Sequence, residues 1–298
     1  MTLPFESVPN FSEGRDAATI VALETALGAH ADVLDVHADE DHNRSVFTLV
    51  GEDSALVEAL LAGIACARDR IDLRHHEGAH PRTGAADVVP IVALDSRDRD
   101  RARDCALQLA ERIGSELGLP VFLYGESAPG HRGPAFFRRG GPEELQRRID
   151  AGEVRPDFGP AHLDDRAGGV IVGARRPLIA FNVNLATSDV DVARSIAAVI
   201  RERDGGFPGV RALGLFLPRA GRAQVSMNVE DYEAAALHEI VARIELEATT
   251  HGVELAGAEL VGLMPAGAAA AAAGAILRID GFNASHVLEL RLLERQRA

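Results

Sequence analysis

No lysine occurs among the 298 residues, so all 31 basic side chains are arginine. That absence excludes Schiff-base catalysis, a lysine-anchored pyridoxal phosphate and the lysine of a phosphate-binding loop. Cysteine is scarce as well. Cys66 and Cys105 are the two present; both fall in helix-like segments without CxxC spacing, which suggests neither a disulfide framework nor a thiolate zinc site. No apolar run reaches the roughly 18–20 residues of a membrane span, and the opening MTLPFESVPNF lacks the basic and apolar regions of a secretion signal. Excess positive charge is missing too: the net charge is -14, without the basic footprint that nucleic acid or an anionic membrane surface requires. Small-molecule partners and a cytoplasmic location are therefore expected, with arginine suited to planar, two-pronged recognition of carboxylates.

What the chain does have is 47% hydrophobic residues, enough for a sizeable core, and length enough for two compact units. Its most unusual stretch is His75–Pro90, HHEGAHPRTGAADVVP. Gly78, Pro81 and Gly84 argue against continuous helix, while the apolar run after Ala86 reads as a buried strand, so a shaped loop should feed directly into a sheet. His76, Glu77 and His80 spell H-E-x-x-H. Zinc chemistry would need both imidazoles on one helical face, which Gly78 and Pro81 oppose. Three readings remain open for the stretch: a metal site, histidines that merely bond backbone, or His80 as an acid/base residue titrating near working pH. Asp39, Asp41 and Asn43 imitate the start of a calcium loop, but Arg44 stands where glycine is required and Val50 where the closing glutamate belongs.

Hydrophobic periodicity predicts strands at Leu3–Val8, Val33–Val36, Ser45–Val50 and Val88–Leu94. Helices are predicted over Asp16–Leu27, with Ser12 as a helix cap, and over Ser54–Ile71. A helix over Arg101–Leu117 ending at Gly118, a strand over Val121–Tyr124, an irregular basic segment over 125–141 and a helix over Glu143–Asp150 follow. The strand–helix–strand–strand–helix–strand order then begins again at Leu178, continuing through Asp189–Arg203, the hairpin Val210–Leu217 and Ala223–Asn228, Tyr232–Thr249 and Glu259–Leu263. The expected fold is α+β: two tandem ferredoxin-like (βαββαβ) subdomains, residues 1–177 and 178–298, with mainly antiparallel sheets packed on helices. No convincing sequence repeat accompanies the repeated order. The alanine run Ala268–Ala273 predicts a small helix, and Asn283–Gln296 a terminal helix with one apolar face.

The segments VPNFSEG, DHNRSVFTLVG, GAHPRTGAADVVP, PVFLYGES, PDFGP, GGVIVGARRPLIAFNVNL, QVSMN and LVGLMP occur in this order along nearly the whole chain, and together they closely resemble the formiminotransferase family. The resemblance implies transfer of a formimino group between N-formimino-L-glutamate and tetrahydrofolate, a co-substrate, giving 5-formiminotetrahydrofolate and glutamate in histidine breakdown. It also makes a homodimer the expected state with no metal, and, with one formiminotransferase unit present, cyclodeaminase activity is not implied. The family's catalytic histidine corresponds to His80. Its folate-binding stretch corresponds to Gly159, Pro160, Ala161, His162, Leu163, Asp164, Asp165, Arg166, Ala167 and Gly168. Arg82, Arg175 and Arg176 are candidates for substrate carboxylates. The chain departs from the family at LDVHA, where His37 replaces an active-site aspartate; Asp35 and Asp87 are the available replacements as acid partner of His80. Transfer of another one-carbon unit such as formyl, or folate binding without turnover, is the alternative.

Overall fold

The computed structural model describes residues 3–130 and 132–297, with side chains described as far as Leu292. Two compact units divide the chain, Met1–Pro177 and Leu178–Ala298, each with its own hydrophobic core.

In the first unit the expected opening strand is split in two, β1 (Phe5–Ser7) and β2 (Asn10–Phe11). Helix α1 (Ala17–Gly28) follows, then the hairpin β3 (Asp32–Asp39) and β4 (Arg44–Gly51), helix α2 (Asp53–Arg70) and strand β5 (Ala86–Val92). Asp16, not Ser12, caps α1, its carboxylate accepting from Ala18 N. Ser12 is 2% exposed and belongs to the site loops instead. Helix α3 (Arg99–Arg112) continues through one wider turn to Gly118, whose left-handed backbone ends it. Then come β6 (Val121–Gly125), α4 (Pro134–Arg138), α5 (Gly141–Asp150) and β7 (Val170–Arg175).

These strands form one seven-stranded sheet in which β1 and β2 pair antiparallel with both β4 and β5, β3 lies outside β4, and β7 joins β5 to β6 in parallel. Strand β7 was not evident in the sequence. VIVGAR is a continuous short apolar run, the signature of a strand buried on both faces, and periodicity does not separate it from other buried segments. One sheet face packs on α1, α2 and α3 through residues such as Phe47, Leu60, Val89, Leu109 and Val172. The opposite face of the parallel end is covered by α4, α5 and their flanks, where Phe122, Phe137, Leu145, Leu163 and Ile171 form a second buried cluster. That cluster anchors Phe137 and Leu163, and so fixes the neighbouring Arg138 and the 159–168 loop.

The second unit runs β8 (Ile179–Leu185), α6 (Val190–Ile200), β9 (Val210–Leu217), β10 (Arg222–Val229), α7 (Leu237–Thr250) and β11 (Leu255–Val261). Its four strands are ordered β11-β8-β10-β9 and all neighbours are antiparallel. Helix α8 (Ala266–Leu277) contains the alanine run, and α9 (Leu288–Arg297) is the last described element. No helix among the described residues is long and apolar enough to cross a membrane.

Candidate active site

Three segments that are remote in sequence meet at the start of β5. The first is the turn between β3 and β4. Asn43 there has φ 47, a left-handed conformation that asparagine tolerates better than most residues. Its side chain accepts from Gly14 N at 3.0 Å and donates to Glu77 O at 2.9 Å, so one amide ties the N-terminal loop, the hairpin tip and the histidine loop together. The second segment is the histidine loop itself, laced to Ser12: Ser12 N donates to Ala85 O and Ser12 Oγ to Gly84 O, both at 2.8 Å. The third is the 159–168 loop. Ala85 N donates to Ala167 O at 2.8 Å, Gly169 N to Thr83 O at 3.2 Å and Leu73 N to Arg166 O at 2.8 Å.

The join between these last two loops depends on glycine. Gly84 and Gly168 face each other in an antiparallel bridge, and a Cβ at Gly84 would sit 2.0 Å from the Gly169 carbonyl oxygen. Backbone lies on both sides, so neither can yield cheaply. Gly84→Ala should destabilise the protein by about 1–3 kcal/mol, read as a lower urea midpoint at unchanged slope.

The H-E-x-x-H segment is not a helix. A single tight helical turn, Leu73–His75, ends at His76 and the chain beyond it is irregular, so no helical face carries His76 and His80 together. The two rings go to different arginines. Arg82 Nη1 lies 2.5 Å from His76 Nδ1, and its Nη2 donates to His80 O at 2.9 Å and to His42 O at 3.2 Å. Arg82 therefore spends its donors on the histidine loop and the β3–β4 turn. Burial and the Arg82 charge lower His76 to about 4.

His80 is partly buried. Its Nδ1 is 2.5 Å from Arg44 Nη1 and 2.8 Å from the Pro81 carbonyl oxygen, and its ring centroid is 6.0 Å from that of His42. Burial, then the Arg44 and Arg138 charges, hold the imidazole well below 6.5. The expectation of a ring titrating near working pH is thus corrected: desolvation and two guanidinium groups keep it neutral there.

Asp87 is 1% exposed, and its Oδ2 receives Arg44 Nη2 and Arg138 Nη2, each at 2.6 Å; its Oδ1 accepts from Thr83 N at 2.7 Å. A bulge makes this possible. Phe11 pairs with Ala86 and Asn10 with Val88, leaving Asp87 as the extra residue on β5, which turns its carboxylate toward the arginines. Burial alone would raise this carboxyl; Arg138 and Arg44 outweigh it and hold it below its ordinary 3.8. Asp87 hence reaches His80 through Arg44. Asp35 and His37 lie on β3 opposite Thr48 and Val46.

Arg44 and Arg138 were not singled out from the sequence as site residues. The usable signal was Asp87, an acid at the start of an otherwise apolar strand, which demands cationic partners when buried. Arg175 and Arg176 fall elsewhere: Arg175 pairs with Val92 at the other end of β5, about 17 Å along the strand from Asp87, and Arg175 Nη1 donates to Arg176 O. Within the 159–168 loop, Asp164 and Gly168 exchange two backbone hydrogen bonds of 3.0 and 2.8 Å, and the Asp164 carboxylate accepts from Arg166 N and Ala167 N. Leu163 is buried and its N–H donates to Gln146 Oε1, while Pro160, Ala161, His162, Asp165 and Arg166 are exposed. In the second unit, the motif residues form cross-strand polar pairs: Gln224 Nε2 donates to Asn184 Oδ1 and Asn182 Nδ2 to Glu259 Oε2, each at 3.0 Å.

Chemically, the first unit offers a neutral imidazole beside arginines that outnumber the one carboxylate they contact, an arrangement suited to moving protons on an anionic ligand. Comparison with known proteins agrees with a one-carbon transferase. Residues 4–175 match the formiminotransferase domain, N-terminal subdomain, and residues 180–284 match the formiminotransferase domain. The chain is 40% identical over 293 residues to a glutamate formimidoyltransferase of Thermoplasma acidophilum, covering 96% of each chain. It is likewise 40% identical to a glutamate formimidoyltransferase of Streptococcus pyogenes serotype M1, covering 97% of this chain and 98% of that one. A formimidoyltransferase-cyclodeaminase of Rattus norvegicus is 38% identical over 270 residues, which are 87% of this chain and 50% of that protein.

Proposed function

Since this chain belongs to the formiminotransferase family along nearly its whole length, we propose that it transfers the formimino group of N-formimino-L-glutamate to tetrahydrofolate, releasing L-glutamate in histidine degradation. The observation that carries this reading is the hydrogen-bonded seam joining the His80 loop to the 159–168 loop. It supports a single site in which a folate held along 159–168 lies beside an imidazole.

The reaction needs two proton movements. As the folate nitrogen bonds to the formimino carbon, its N–H proton must leave; as the tetrahedral intermediate collapses, the glutamate nitrogen must gain one. His80 takes the first proton and delivers it to the second site. Its low proton affinity keeps it available as a base at neutral pH and makes the imidazolium a strong acid toward the departing amine. Arg44, Arg82 and Arg138 against Asp87 leave a local positive surplus that favours carboxylate-bearing substrates despite the net negative chain. The 159–168 loop contributes mainly backbone groups to the folate, because Asp164 is committed to its own turn.

The sign of the pH dependence follows. The base must be neutral, and protonation of the free enzyme sets in only well below 6.5. A plot of kcat/KM should therefore stay level as pH falls through 6.5 and drop only further down; an acid limb centred at 6.5 or above would contradict the assignment. The function itself is tested by incubating the protein with tetrahydrofolate and formiminoglutamate and following the absorbance of the methenyl product formed on acid treatment. No product above the enzyme-free control would dismiss it. The same reading makes the enzyme a cytoplasmic homodimer, for which the exposed Leu288 and Leu292 of α9 provide apolar surface; sedimentation analysis measures that state directly.

A further inference from the structure

One ring nitrogen of His80 lies within hydrogen-bond reach of two groups that make opposite demands on it. Arg44 Nη1, 2.5 Å from Nδ1, can only donate; the Pro81 carbonyl oxygen, 2.8 Å from the same atom, can only accept. A neutral imidazole has one N–H. If Nδ1 accepts from Arg44, the proton sits on Nε2, which can then donate but not receive. If Nδ1–H donates to Pro81, Nε2 carries a lone pair and can receive. Only the second form can begin the transfer as a base.

We propose that Arg44 is a positioning residue that selects between these two forms, and that a substrate carboxylate makes the choice by drawing Arg44 off Nδ1. The proposal rests on His80 being the proton shuttle. Arg44 is placed for such a change of partner. Its other terminal nitrogen already bonds Asp87 Oδ2, an oxygen it shares with Arg138. One carboxylate between two guanidinium groups leaves one positive charge uncompensated, and an incoming carboxylate supplies the missing partner. The charged and titratable groups that act on the ring are Arg44 from β4, Arg138 from α4 and His42 from the β3–β4 turn, with Asp87 on β5 bonded to the two arginines.

The steps balance. With Arg44 turned to the substrate, Nδ1–H bonds the Pro81 carbonyl and Nε2 takes the proton of the folate nitrogen as the new N–C bond forms. The imidazolium then carries one proton on each nitrogen. Delivery of the Nε2 proton to the glutamate nitrogen, as the old C–N bond breaks, returns the ring to its starting form with no net gain or loss.

Long-range proton–nitrogen correlation spectra of the full chain, 15N-labelled at its 11 histidines, report the tautomer directly. The His80 signals are those missing from the His80→Gln spectrum. Ligand-free wild type should give the Nε2–H pattern. Adding L-glutamate as the probe carboxylate should shift it toward the Nδ1–H pattern, and Arg44→Met should show the Nδ1–H pattern with or without glutamate. An Nδ1–H pattern in the ligand-free wild type overturns the proposal, as does a wild-type pattern that glutamate leaves unchanged. Both comparisons need only wild type and the His80→Gln reference that assigns its signals, so they stand if Arg44→Met does not fold. The spectra also need no turnover: a His80→Gln enzyme with normal kcat would remove the shuttle role, whereas a wrong tautomer would remove only the role of Arg44.

Discussion

On the proposed mechanism, His80→Ala should lower kcat by about 10²- to 10⁴-fold, the usual contribution of a positioned acid/base group, while tetrahydrofolate should still bind. The expectation rests on separable jobs. The backbone of the 159–168 loop is held by Leu163, by the Asp164 turn and by bonds to Thr83 and Ala85, none of which uses the imidazole. Proton movement, by contrast, depends on the ring in the proposed mechanism. Steady-state kinetics combined with an equilibrium folate titration therefore separates the two, and near-normal kcat in a folded His80→Ala protein would strip His80 of its role. His80→Gln should behave similarly, because a carboxamide keeps polarity but cannot receive and return a proton at neutral pH.

Asp87→Ala should cost about 3–5 kcal/mol of stability, as expected when one partner of a buried ion pair is removed and the other is left uncompensated. Two arginines and the Thr83 N–H lose their acceptor at once. Asp87→Asn restores a hydrogen-bond acceptor but not the charge, so it should fall between wild type and alanine. Urea unfolding gives the ordering; an alanine variant as stable as wild type would show that the arginines find other partners. Acid acts on the same group. Because the folded carboxyl is held below its ordinary 3.8, its contribution is complete above that value and is lost as pH falls further, through the folded value. Wild type should lose part of its advantage over Asp87→Ala in that acid range and keep it at neutral pH.

The sequence was most legible where a residue's role depends on its immediate neighbours. Strong periodicity placed α2, α3 and the strands of the second unit within a few residues of their observed limits. Gly118 ended the third helix because only its own backbone conformation was at issue. The strand β7 and the role of Ser12 are not legible in the sequence, for the opposite reason: a two-sided buried strand and a hydroxyl bonded 72 residues away have no local periodic signal.

The same division runs through the site. By itself the chain determined that no lysine chemistry is available, that the histidine stretch is a loop feeding a strand, and, through its ordered motifs, which family it resembles; composition and short-range pattern carry that information. Tertiary structure decided that Asp87 holds two arginines instead of His80, that Arg44 stands beside the ring, and that the proton affinity of the imidazole is lowered. Those outcomes depend on a bulge in β5 and on desolvation by segments distant in sequence, and proton affinity is a property of surroundings that form only when the chain has folded.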